Sequence, residues 1–179
     1  MLLANLRRVI SQRHGQSLVE MAMVLPVLTF LTFGLLDFGR AYYYQVAVTN
    51  AAREGARTAI LNIYIGPLTP SCSSSNNYAT CPVETDDAIK QAVHNELAGT
   101  QIVVPDSSIT ICPPHDSTSS TTGCPNTNNR VALWNAGQFS AYYVTVNVKY
   151  NFQLYTPILQ NLLGNPITMS VSVQMRPNY

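Results

Sequence analysis

From Met21 to Leu36 the chain runs sixteen residues without a charge, closed by a carboxylate on each side, Glu20 before and Asp37 after. At about 1.5 Å per residue an α-helix over this run covers roughly 24 Å; carried out to Leu18 and Phe38 it reaches about 31 Å, matching a hydrocarbon core of about 30 Å. One transmembrane helix over residues 18–38 is therefore expected. Arg7, Arg8, Arg13 and His14 precede it, and no acidic residue occurs before Glu20. Positive charge beside a span stays on the cytoplasmic side, so the amino terminus is expected inside and everything after the span outside. A cleaved signal peptide shares the basic start and apolar run. Here the run is too long for one, Glu20 stands at its mouth, and Gly39-Arg40-Ala41 is a poor small-residue cleavage site, which favours a retained helix.

No breaker follows Arg40, and the helix is expected to continue to about residue 62, giving one element over 16–62. Past the span, Ala47, Ala51, Gly55 and Ala59 recur every fourth position, with Ala52 and Ala56 alongside. Such a stripe lets another backbone approach closely. An interior glycine costs about 1 kcal/mol against alanine, so close packing at Gly55 should offset it. The stripe suits packing on the chain's own sheet and packing on a neighbouring subunit equally. Glu54 and Arg57 stand three apart and can pair on the outer surface.

Residues 63–179 read as one α+β domain of about 115 residues. Gly66-Pro67 and Pro70 stop the helix. Glu84 to Leu97 reads as a short helix with Ile89, Ala92, Val93 and Leu97 on one face and Gly99 as its stop. Ile102–Val104 and Ser108–Cys112 read as short strands, and Pro113 to Asn129 as a long polar loop. Alternation over Ala141–Tyr150 and over Ile167–Met175 predicts two half-buried strands, with Thr156-Pro157 to Leu163 between them as an apolar loop or one-turn helix. A long helix followed by an antiparallel sheet implies a helix laid over one sheet face.

The four cysteines, Cys72, Cys81, Cys112 and Cys124, all fall on the expected outer side, where disulfides persist. Four cysteines permit three pairings. Local pairing, Cys72 with Cys81 and Cys112 with Cys124, is expected because each pair brackets one polar loop. The alternative, a zinc site, lacks its Cys-x-x-Cys spacing, and no metal or cofactor is expected. A net charge of +1 with scattered basic residues gives no nucleic-acid face. No nucleophile elbow, phosphate loop or His-Glu-x-x-His motif occurs, so an enzyme is not expected. His94 reads as a surface residue, and Tyr42-Tyr43-Tyr44 as an aromatic belt at the membrane boundary.

Gln16-Ser17-Leu18-Val19-Glu20, Leu25-Pro26, Asp37-Phe38-Gly39-Arg40-Ala41 and Asn50-Ala51-Ala52-Arg53-Glu54-Gly55-Ala56-Arg57 together resemble the amino-terminal signature of TadE-like proteins. Val146-Asn147-Val148-Lys149-Tyr150 and Met175-Arg176 are similar, more weakly, to that family's closing strands. The resemblance implies a pilin-like fold and a minor pilin or pseudopilin of the tight-adherence pilus, related to type IV pili and type II secretion. It implies cleavage by prepilin peptidase between Gly15 and Gln16, with residues 1–15 as a cytoplasmic leader, and partnership with other pilin subunits. It also implies that Glu20, fifth in the mature chain, pairs with the amino terminus of an adjacent subunit. A single-pass anchored binding module, its outer domain recognising a surface ligand, is the alternative from another functional class.

Overall fold

The computed structural model describes residues 2–61, 83–116, 123–124, 128–138 and 143–176, with the backbone alone for residues 2–14. One helix, α1, runs Leu2–Ile60. It begins well before the expected residue 16, because nothing between Leu2 and Gly15 interrupts a helix, and it ends at Ile60 instead of residue 62. The expected stop at Gly66-Pro67, the polar loop 71–82 and the Cys72–Cys81 pairing lie outside the described residues.

Among the described residues three further helices follow: α2 over Asp86–Leu97, α3 over Arg130–Asn135 and α4 over Pro157–Leu163. Thr85 caps α2, its hydroxyl accepting from Ala88 N at 3.2 Å, and Asp86 and Asp87 fill the first turn. Ile89, Val93 and Leu97 are buried as expected, whereas Ala92 is half-buried. The strands β1 (Ile109–Cys112), β2 (Val144–Phe152) and β3 (Ile167–Met175) form an antiparallel sheet in the order β1-β2-β3. The layout is α+β.

Two sequence expectations need correction. Ile102–Val104 keeps the alternation of a strand, with Ile102 and Val104 buried and Val103 exposed, but it joins no ladder among the described residues. Pro105 lacks an N–H, and the chain turns there into a 3-10 turn over Asp106–Ser108, so pairing starts only at Ile109 and not at Ser108. Residues 130–135, to which the sequence pattern assigns no element, form α3, capped by Asn129 Oδ1 accepting from Ala132 N at 2.7 Å.

Two compact units emerge. The first comprises the chain up to Ala41 together with Leu154–Asn165; the second comprises Tyr42–Gln153 and the chain from Pro166 onward. The second unit holds the sheet and the main core. Val148 stands between Ile109 and Val171 across the ladder, and Val146 between Ile111 and Val173. Alternate β2 residues Val144, Val146, Val148, Tyr150 and Phe152 are buried, as are Val48, Ala51, Ala52 and Ala56 of α1. Tyr44 meets Phe152 edge to face with centroids 5.6 Å apart, and the Tyr150 hydroxyl donates to Gln45 Oε1 at 3.0 Å. Burial pushes the Tyr150 phenol above its ordinary range. Cys112 and Cys124 are joined by a disulfide with Cα atoms 5.4 Å apart, tying the end of β1 to the following loop.

Gly55 explains its own place in the helix. A Cβ there would come 2.6 Å from Val93 Cγ2 on α2 and 3.6 Å from Ile89 Cγ2. Valine is stiff about χ1 and cannot swing aside freely. Gly55→Ala gains about 1 kcal/mol of helix propensity but overpacks this contact at a cost of about 1–3 kcal/mol. Net destabilisation is expected in urea unfolding of detergent-solubilised protein. In a Val93→Ala background the same substitution should become neutral or stabilising. An unchanged cost in that background would show that the contact is not what forbids a side chain.

Candidate functional site

Every residue of α1 from Gly15 to Phe33 is exposed, and those from Met21 onward are almost all apolar. This half of the helix is long and apolar enough to cross a membrane. Its hydroxyls are consistent with that setting. Thr29 Oγ1 donates to the Leu25 carbonyl at 2.8 Å and Thr32 Oγ1 to the Leu28 carbonyl at 2.9 Å, so neither needs a partner outside the helix. Pro26 sits inside the helix and withholds one backbone donor from the Ala22 carbonyl.

Gly15 and Gln16, the expected cleavage pair, lie within α1 with exposed side-chain positions. Glu20 is exposed one turn further on and accepts from Gln16 Nε2 at 3.2 Å. Of the small-residue stripe, Ala51, Gly55 and Ala59 are buried in the second unit and Ala47 is half-buried. Gly55 faces α2 of the same chain. Glu54 and Arg57 pair at 3.6 Å on the surface. Tyr42 and Tyr43 are exposed, and His94 meets Asp106 at 2.6 Å on the surface.

The residue that sequence reasoning undervalued is Asp37, read as the far boundary of the span and as part of the amino-terminal signature, with no role of its own. It is buried, and its carboxylate gathers backbone donors from a segment more than a hundred residues away. Tyr155 N donates to Oδ1 and Oδ2 at 3.1 and 3.2 Å, and Thr156 N to Oδ2 at 2.9 Å. Arg40, one turn along α1, pairs with Asp37 at 3.4 Å and lays its guanidinium 3.7 Å from the centroid of the Tyr155 ring. The segment so held opens α4. Gln160 Nε2 closes it from within by donating to the Leu154 carbonyl at 2.7 Å, and Leu154 N donates to Asn165 Oδ1 at 3.2 Å. The only local signal for this junction was the Asp-x-x-Arg spacing.

A second polar knot lies in the second unit. Arg130 is fully buried. Its Nη1 donates to the Pro113 carbonyl at 2.6 Å, and its Nη2 to the Glu84 carbonyl at 2.8 Å and to Asp86 Oδ1 at 2.7 Å. The Asp86 carboxylate also accepts from His115 N at 3.2 Å. Burial raises the Glu84 carboxyl above its ordinary range, and the Arg130 cation opposes that rise. This arrangement fixes the start of α2 to the start of α3, and it is structural in character.

Compared with known proteins, residues 15–57 match the family model described as TadE-like protein. The match ends within the helix, and no curated protein and no solved structure matches the chain.

Proposed function

With a TadE-like amino-terminal helix as the premise, we propose that the chain is a minor pilin or pseudopilin serving a tight-adherence pilus or a related secretion apparatus. What supports this most is a coincidence of extent. The family match covers residues 15–57, and within it lies the helical stretch whose side chains are all exposed and mostly apolar. In this reading residues 1–15 are a cytoplasmic leader, residues 18–38 span the membrane, and residues 63–179 stand outside. Prepilin peptidase cuts between Gly15 and Gln16. The new amine then lies about one helical turn from Glu20.

A charge at the edge of a bilayer asks for a partner, and the need grows when helices pack side by side and exclude water. Glu20 would meet that need through the terminal amine of an adjacent subunit, which sets the axial register of the assembly. Glu20→Gln keeps the shape, and its side chain can still contact Gln16. Insertion and cleavage are expected to be normal, while co-purification with the other pilus components falls. If Glu20→Gln co-purifies as the wild type does, the carboxylate has no part in assembly.

A further inference from the structure

The β2–β3 connection carries apolar side chains that nothing among the described residues covers. Tyr155, Ile158, Leu162 and Leu163 are 70%, 61%, 75% and 60% exposed. Ile158 and Leu162 are four apart on α4, as are Leu159 and Leu163, so the apolar residues share one side of this two-turn helix. Its polar residues do not break that surface evenly, since the Gln160 amide turns back to the Leu154 carbonyl. No Asp, Glu, Lys or Arg occurs between Lys149 and Arg176.

We propose that α4 is a membrane-surface element, seated in the interfacial layer of the same leaflet from which α1 emerges. The proposal rests on the reading of α1 as a membrane anchor. Three observations choose lipid as the occupant. The segment groups with the exposed half of α1 in one compact unit. Asp37, at the end of the apolar run, holds the backbone of Tyr155 and Thr156, which places α4 at the height where the span ends. Leu35, Leu36 and Phe38, flanking Asp37, are themselves exposed, so the span carries uncovered apolar side chains right up to the residue that anchors this segment. The Arg40–Tyr155 stack supplies the groups favoured at the headgroup level, an aromatic ring and a cation that can reach outward. A protein partner is a poorer fit: one face of a two-turn helix offers far less than the about 800 Å² per side of a standard interface.

Tryptophan placed on this face reports its surroundings directly. The natural tryptophan, Trp134, is buried in the second unit and gives the baseline. Leu162→Trp and Leu28→Trp would each be reconstituted, as the full chain, in phosphatidylcholine nanodiscs with and without bromine on the acyl chains. Leu28 lies mid-span and is exposed. Bromine should quench the added emission of Leu28→Trp strongly and that of Leu162→Trp to within a factor of about two of it, as expected for an interfacial helix. Wild-type emission should stay unchanged. Quenching of Leu28→Trp without quenching of Leu162→Trp overturns the proposal and leaves the anchor intact. A blue-shifted but unquenched Leu162→Trp also overturns it, because a protein then covers the face. If neither variant is quenched, the anchor fails and α4 as a membrane element fails with it.

Discussion

Replacing Arg130 by methionine is expected to destabilise the second unit by about 3–5 kcal/mol, the range for removing one partner of a buried ion pair. Methionine fills the volume of the stem but offers no donor. The carbonyls of Pro113 and Glu84 lose the guanidinium, and Asp86 keeps only the His115 N–H among these contacts. Arg130→Lys should fall between, since one ammonium cannot reproduce the fork that reaches all three acceptors. Trp134, buried in a cluster with Val83 and Val131 beside this knot, makes urea unfolding visible by fluorescence. The pH dependence has a definite sign. Burial raises Glu84, so the folded state holds its proton more tightly than the unfolded chain, and stability from this group falls as pH climbs from the ordinary glutamate value through the folded one. Without Arg130 the carboxyl rises further. The loss in Arg130→Met should therefore be largest at neutral pH and shrink on acidification toward the ordinary glutamate range. A neutral-pH loss below about 1 kcal/mol would contradict the assignment.

Asp37→Ala should release the β2–β3 connection from α1. Two backbone N–H groups lose their acceptor, and Arg40 loses its partner carboxylate. Stranding a buried donor costs about 1–3 kcal/mol, so amide hydrogen exchange at Tyr155 and Thr156 should speed up by about 30-fold, equivalent to about 2 kcal/mol. Asp37→Asn retains an acceptor oxygen without the charge and should give a smaller acceleration. The helical amides around Asp37 itself serve as the control, because their acceptors are backbone carbonyls that neither variant touches. Unaltered exchange at Tyr155 and Thr156 in Asp37→Ala would mean that the carboxylate does not hold this segment.

The elements legible in the sequence are those whose signal is local and periodic. The uncharged run from Met21 to Leu36 announced the exposed half of α1, and the alternation through Val144, Val146 and Val148 announced β2. Ile89, Val93 and Leu97 announced the buried face of α2. What escaped depends on contacts that no window of sequence contains. Asp37 looks like a boundary charge until Thr156, 119 positions on, is brought to it. Arg130 looks like a solvated cation at the end of a polar loop, and only the fold encloses it between Glu84, Asp86 and Pro113. Ile102–Val104 has the pattern of a strand, yet a strand needs a partner edge, and Pro105 diverts the chain before one is reached. The small-residue stripe was ambiguous for a related reason. Its spacing specifies a close approach, and the place of Val93 beside Gly55 shows that α2 makes it there.

A pilin-like subunit handled by the pilus machinery would show that handling most directly at the bond between Gly15 and Gln16. That bond lies in a helical stretch, and glycine weakens a helix by about 1 kcal/mol against alanine, which eases the local unwinding that a protease requires. The decisive measurement is the intact mass of the protein extracted from membranes of cells in which the pilus system is active. The predicted result is a chain that begins at Gln16, with Gly15→Leu yielding the longer form. A wild-type chain still carrying the residues before Gln16 under those conditions would contradict it.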